Sequence, residues 1–336
     1  MRVLSLLLSL LLALTGCQPE ARPAGPVEGT LEVHFIDVGQ ADAALVLCGG
    51  ASMLIDGGNV ADSSLIVSYL ADQGVERLDY VVDTHAHEDH VGGLAGALAK
   101  YGAGHVYAPV TEYGSKAFGD FLHYAGGVEV PVPGDSWTVG EAAVTVLGPV
   151  EAYDETNDTS IVLRLDFGET SFLFTGDMER EAEADLLDSG ADVAADVLKV
   201  GHHGSDTSTS YPFLRAVAPE TAVISVGEGN SYGHPTEAVL SRLRDAETAL
   251  YRTDMQGTVV AVSDGKDISF TVEKNKDAVT NPTAENREDH YIGNLRSKVF
   301  HRPSCSGLPA EENQTDFGTR EEAVDAGYAP CGRCKP

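Results

Sequence analysis

Between Leu31 and Val272 the apolar residues fall into short runs bounded by Gly, Asp and Asn, not into long helical stripes. Runs of this length read as strands, and those without alternation read as strands buried on both faces. Leu31–Asp37, Ala43–Cys48 and Ser52–Asp56 form a strand-turn-strand series punctuated by Gly39, Gly49-Gly50 and Gly57-Gly58. A helix from about Ser63 to Asp72 leads into a buried strand, Leu78–Asp83. A helix is expected after Asp89, then short strands near Val106 and Val128 and a hairpin-like pair over Trp137–Leu147. Ile161–Phe167 and Ser171–Phe174 pair around the turn at Gly168-Glu169. Helix Glu179–Ser189, strands Val197–Val200 and Ala222–Val226, helix Thr236–Ala246 and strands over Thr258–Val272 complete the pattern. Two sets of strands with intervening helices predict an α/β protein, and an αββα sandwich accommodates both sets.

The two ends of the chain do not share this pattern. Arg2, the apolar stretch Val3–Leu14 and Leu14-Thr15-Gly16-Cys17 read as a signal peptide over residues 1–16. The quartet is similar to the lipobox of bacterial lipoproteins, which implies lipidation at Cys17 and an exported protein anchored on the extracytoplasmic face of a membrane. The stretch falls short of the roughly 20 apolar residues that span a bilayer. Residues 17–30 are rich in Pro, Gly and Ala and read as a tether, 31–273 as the main domain, 274–289 as a polar linker and 290–336 as a small separate module. Composition adds one constraint. The formal net charge of −30 disfavours broad electrostatic binding of duplex DNA and concentrates divalent cations near the surface. Cys48 reads as a buried free thiol in a strand, and no disulfide framework is visible among the five cysteines.

The decisive segment is Asp83-Thr84-His85-Ala86-His87-Glu88-Asp89-His90. His85 and His87 lie two apart on extended backbone and project to one side, while a turn into a helix at Val91-Gly92-Gly93 swings Asp89 and His90 towards a second position. Imidazoles and a carboxylate in this grouping suit zinc, manganese or iron. Three later strand ends add candidates. Phe172–Asp177 delivers Asp177 where it could bridge two metals, Leu198–Ser205 delivers His202 and His203, and Ser231–Pro235 places His234 in a turn.

In type and order, His85 to His90, Asp177 and His234 resemble the ligand motifs of metallo-β-lactamase-fold hydrolases. More narrowly, Phe35–Asp42, Leu54–Asn59 and the His202 and His234 motifs are similar to the soluble hydrolase domain of the ComEC competence proteins, over about Leu31 to Val272. The resemblance implies an αββα metallo-β-lactamase sandwich and a metal-dependent nuclease. One divalent metal, zinc or manganese, would sit on His85, His87 and Asp177, and a second on Asp89, His90, Asp177 and His234. Asp89, His202 and His203 are the candidate catalytic residues, with His202 as proton donor and His203 as its substitute. Asp56 is expected to orient a ligand histidine, and Asp37 to be structural. One departure stands out. Many members of the fold carry a ligand His shortly before the Gly-Asp motif, where this chain reads Thr156-Asn157-Asp158-Thr159-Ser160 and has no His.

His301-x3-Cys305 and Cys331-x2-Cys334 supply one imidazole and three thiolates, the donor set of a closed tetrahedral zinc site. A segment this short with few large apolar side chains needs such a staple. It resembles the N-terminal zinc-binding domain of Ada, in which the first ligand is a methyl-accepting Cys. His301 stands in that place here and cannot serve as that acceptor, which makes the module structural or binding. Residues 290–336 carry six Lys or Arg and six Asp or Glu, so the rest of the chain holds the whole excess of negative charge. Arg320–Ala326 reads as a short helix, and Arg296, Lys298, Arg302, Arg333 and Lys335 lie near the zinc ligands. The expected partners are a phosphodiester substrate, with DNA as one candidate, and a membrane reached through the lipid; no obligate protein partner is evident. Two other readings remain open: hydrolysis of a cell-envelope phosphoester or a lactone, and a binding protein with a vestigial metal site.

Overall fold

The computed structural model describes residues 29–282, 291–303, 305–318, 322–323, 326–331 and 333. The signal-like segment with Cys17, the second half of the linker, and Cys334 lie outside the described residues.

Two seven-stranded sheets face each other. The first contains β1 (Leu31–Phe35), β2 (Ala44–Cys48), β3 (Ala51–Ile55), β4 (Leu78–Val82) and β5 (Ala103–Tyr107). The second contains β6 (Ser136–Val139), β7 (Ala142–Gly148), β8 (Val162–Phe167), β9 (Thr170–Phe174), β10 (Val197–Lys199), β11 (Thr221–Ile224) and β12 (Ala249–Arg252). β13 (Val259–Ser263) and β14 (Ile268–Val272) return to the first sheet, giving orders β14-β13-β1-β2-β3-β4-β5 and β12-β11-β10-β9-β8-β7-β6. The helices are α1 (Ser63–Asp72), α2 (Glu88–Val91), α3 (Leu94–Tyr101), α4 (Lys116–Ala125), α5 (Arg180–Asp188), α6 (Tyr211–Val217), α7 (Glu237–Asp245) and α8 (Thr253–Gln256).

The alternation along β1 explains the layering. Leu31, Val33 and Phe35 point into the space between the sheets, where they meet Val144, Leu165, Phe172 and Phe174. The opposite face of the first sheet, with Leu45, Leu54 and Val81, packs on Ile66, Leu70, Leu94, Phe118 and Phe121 of α1, α3 and α4. Leu173 and Leu198 on the outer face of the second sheet meet Leu186, Phe213, Leu214, Val239 and Leu243 of α5, α6 and α7. Helix, sheet, sheet, helix is the αββα order the pattern predicted. Some details differ. Near Val128 there is a single bridge from Glu129 to Tyr107 instead of a strand, and α4 and α6 occupy segments for which the pattern predicts no element. The first part of the linker is also fixed to the body: Thr280 Oγ1 donates to Leu250 O at 2.5 Å, and Arg244 Nη1 donates to Asn281 Oδ1 at 2.7 Å. Cys48 is buried and free, as expected.

The C-terminal module is a separate four-stranded sheet of β15 (Tyr291–Asn294), β16 (Val299–His301), β17 (Gln314–Phe317) and β18 (Ala329–Pro330), ordered β17-β15-β16-β18. Its core is small: Phe300, Ala323 and Tyr328, flanked by Tyr291 and Phe317. Gly293 is required there, because a Cβ would stand 2.6 Å from the Phe317 ring and 2.8 Å from Tyr328. The stretch read as a helix at Arg320–Ala326 is helical at Glu322 and Ala323, and most of the remainder lies outside the described residues. Among the described residues, no helix is long and apolar enough to cross a membrane.

Candidate metal centre

The parallel strands of both sheets end at one edge, and every candidate ligand of the main domain follows one of those ends. β3 runs parallel to β4, and β9, β10 and β11 run parallel to one another. Beyond β4 come His85 and His87 on irregular backbone and Asp89 and His90 on α2; beyond β9 comes Asp177; beyond β10 come His202 and His203; beyond β11 comes His234. Close approaches hold these loops in place. A Cβ on Gly93 would stand 2.0 Å from Gly57 O, and one on Gly176, at φ +52°, would stand 2.8 Å from Ser160 Oγ. Only glycine lets α2 reach β3 and lets Asp177 turn inward at these points.

His85 Nε2 and His87 Nδ1 are 3.1 Å apart, and Asp177 Oδ2 lies 3.9 Å from His85 Nε2. On the other side of Asp177, His90 Nε2 is 3.2 Å from Oδ1, and His203 Nε2 is 3.7 Å from Oδ2 and 3.4 Å from Asp89 Oδ2. His85, His90 and Asp177 form one compact donor group, and Asp89, His90 and His203 form another. His90 Nε2, His203 Nε2 and Asp177 Oδ1 are buried and make no well-aligned hydrogen bond with protein. They are close to each other yet do not point at each other, which is how donors to a shared cation are arranged. The opposite ring nitrogens are anchored. His90 Nδ1 lies 2.8 Å from Asp56 Oδ2, and His203 Nδ1 lies 3.1 Å from Ser225 O and 3.2 Å from Asp42 Oδ1. This fixes which nitrogen faces the centre, as outer-shell carboxylates do around metal-binding histidines. Asp56 itself has φ 58° and also accepts from Thr84 N and Thr84 Oγ1, so its strained backbone is held by three contacts.

The electrostatics agree with a site built for cations. Burial opposes the charged form of Asp177, but His90, His203 and His85 outweigh it and hold the carboxyl well below its usual range. Burial likewise opposes a charged His203, yet Asp177 and Asp42 push it up to about 10; Asp177 and Asp56 raise His90 well above the usual value. His85 is driven the other way, by burial and by the neighbouring His90 charge. The charges that favour protons on these imidazoles would equally favour a divalent ion in their place.

Two side chains lie elsewhere than the sequence reading places them. His203, expected only as a substitute proton donor, sits in the second donor group. His234, expected there as a ligand, belongs to none of the compact groups found among the described residues, and neither does His87, although its Nδ1 is 3.1 Å from His85 Nε2. His234 lies instead edge-on to His202, with ring centroids 5.7 Å apart. The reason is local backbone: His202 and His203 both take left-handed conformations, with φ 48° and 51°, which turns the second ring inward. His202 remains at the rim, its Nε2 3.7 Å from Asp177 Oδ2 and its Nδ1 3.1 Å from Glu179 Oε1.

The segment that lacks a His does other work. Asp177 N donates to Ser160 Oγ at 3.0 Å, and Asn157 Nδ2 donates to Glu179 Oε1 at 3.1 Å. Glu179, Asp42 and Lys199 were not singled out from sequence. Lys199 is buried, with Nζ 2.7 Å from Asp42 Oδ2, so it neutralises the carboxylate that steadies His203. The signals were present but mute: Glu179 stands two residues after Asp177, and Asp42 closes the quoted motif Phe35–Asp42.

The profile of the Metallo-beta-lactamase superfamily matches residues 36–228. The chain belongs to the metallo-β-lactamase superfamily. Within it, this metallo-β-lactamase-fold metallo-hydrolase is 33% identical over 255 residues to ComE operon protein 3 of Bacillus subtilis strain 168, covering 68% of this chain and 32% of that protein. It is 37% identical over 253 residues to Competence protein ComA of Neisseria gonorrhoeae, covering 74% of this chain and 34% of that one. The chain therefore spans about a third of the length of these relatives. The metal-binding domain of Ada matches residues 275–336. Over 68 residues the chain is 37% identical to the bifunctional transcriptional activator/DNA repair enzyme AdaA of Bacillus subtilis strain 168, covering 20% of this chain and 32% of that protein. In that module His301, Cys305 and Cys331 bring three donor atoms together, and His301 Nδ1 is buried without a hydrogen-bond partner. Cys334 lies outside the described residues.

Proposed function

We propose that this metallo-hydrolase is an exported phosphodiesterase that cuts nucleic acid, anchored by lipid at Cys17, with the C-terminal zinc module holding it on polymeric substrate. The convergence of unpartnered, buried His90 Nε2, His203 Nε2 and Asp177 Oδ1 carries the metal-dependent part of the reading. The nucleic-acid part is supported by a relative named as a competence protein and by another named as a DNA repair enzyme.

In this reading His85, His87 and Asp177 would hold one divalent ion, zinc or manganese, and Asp89, His90, His203 and Asp177 would hold the other. Such a pair, when bound, supplies water acidified to near neutral pH and neutralises charge that develops on a phosphoryl oxygen. The protein's own contribution is positional. Asp56 and Asp42 hold the ligand imidazoles, and Ser160 fixes the backbone of Asp177. His202 Nδ1 lies 3.1 Å from Glu179 Oε1, and a His202 protonated on both ring nitrogens, paired with that carboxylate, would turn its Nε2–H to the centre and give that proton to a leaving oxygen. In the module His301, Cys305 and Cys331, with Cys334 as the expected fourth donor, would hold a structural zinc.

The test is turnover by the full soluble chain, supplied with zinc or manganese, on a dye phosphodiester, single-stranded DNA, duplex DNA and a lactone. Hydrolysis of the dye and of DNA, abolished by His87→Ala, is expected. Lactone hydrolysis with DNA untouched would replace this reading by an ester hydrolase, and no turnover with any metal would leave a binding protein.

A further inference from the structure

Two exposed tyrosines border the metal centre, one from each half of the sandwich. Tyr113, between β5 and α4, meets His87 edge-on with ring centroids 6.3 Å apart and is braced by Phe118 at 6.0 Å. Tyr232, between β11 and α7, lies over His234 at 5.7 Å and an interplanar angle of 27°. His234 in turn meets His202, whose Nε2 is 3.7 Å from Asp177 Oδ2. A chain of contacting rings thus runs from the centre outward on the β11 side and ends in a Tyr that is 72% exposed; Tyr113 is 39% exposed.

The Tyr232 loop is pinned. Asn230 Oδ1 accepts from both Tyr232 N at 3.2 Å and His234 N at 3.1 Å, while Asn230 Nδ2 donates to His234 O at 2.6 Å. A ring this exposed on a loop so firmly tied is pre-organised to meet something flat, since its outer face has no packing role. In a chain of net charge −30, the long-range field does not draw in a polyanion, so recognition near the centre must come from contact.

We propose that Tyr232 and Tyr113 are base-stacking platforms that select single-stranded over duplex nucleic acid, seating unpaired bases beside the phosphodiester at the metal centre. The inference rests on the nuclease reading above and goes beyond it by naming the strandedness and the residues that read it. Every base has a flat face, so such platforms tolerate sequence, but in a duplex both faces are already stacked and out of reach.

The experiment uses the full chain with manganese and compares an octathymidylate, the same backbone made abasic, and an octathymidylate–octadeoxyadenylate duplex. Wild type is expected to cleave the single strand best. Tyr232→Ala is expected to raise KM for octathymidylate about tenfold with a smaller change in kcat, closing the gap to the abasic analogue, and Tyr232→Phe to restore it. Tyr113→Ala is expected to act in the same direction. Binding of fluorescein-labelled octathymidylate, measured with His87→Ala added to each variant so that nothing is cut, should weaken in the same order. Equal losses on base-bearing and abasic strands, or no loss in Tyr232→Ala, would overturn the stacking role and leave the nuclease reading standing. Failure of wild type to cut any of the three would overturn both.

Discussion

His203 shows how much one backbone conformation decides. With φ 51° its ring is buried between Asp42, Asp89 and Asp177, and their charge lifts its pKa to about 10 against burial. An unfolded histidine titrates near pH 6.5. Protonation of His203 therefore favours the folded chain fully below about pH 6.5, and that contribution is lost as pH rises towards 10. His90, also raised, acts in the same direction. Protein stripped of metal is expected to lose thermal stability between pH 7 and pH 10, by on the order of 5 °C in Tm. Protein saturated with zinc should not, because the cation replaces the proton; differential scanning fluorimetry of the two forms checks this. The sequence could not show which of His202, His203 and His234 turns inward. The HxHxDH segment was legible because its geometry follows from a period of two and a following turn. The choice among the later histidines depends on left-handed φ values that no apolar pattern encodes.

The strands were legible from their own apolar runs, and the helices less so. α4 carries Ala117, Phe118, Phe121, Leu122 and Ala125 at helical spacing, but Gly114, Gly119 and Gly126 in and around it read as turn punctuation. α6 is short and carries Pro212 in its first turn, where Pro is favoured, but the residue resembles a loop signal in isolation. Elements also hold the site from behind. Glu183 on α5 accepts from Thr209 N and Ser210 N, and Arg242 on α7 donates to Ser208 O at 2.8 Å and Thr209 O at 2.9 Å. Together they clamp the loop that follows His203. Arg242→Met keeps most of the buried volume but leaves these carbonyls unpaired. It is expected to cost about 2–4 kcal/mol in urea unfolding and to weaken binding at the second metal position more than at the first. An unchanged denaturation midpoint would show that the clamp is not needed.

At the scale of the whole molecule, an acidic hydrolase body is joined to a module whose formal charge is zero and whose core is only a few side chains. Removing residues 290–336 is expected to leave dye hydrolysis within about twofold while lowering activity on long DNA by about tenfold or more, as a lost second contact would. Equal losses on both substrates would assign the module to stability of the body. The account as a whole depends on the proposed assignment in which Asp177 serves both ions, with His203 and not His234 completing the second set of ligands. Zinc content of the full chain after saturation and desalting tests this most directly. Wild type and His234→Ala should each retain about three equivalents, two in the body and one in the module, while His203→Ala should retain about two. Loss of zinc from His234→Ala with His203→Ala unaffected would contradict it.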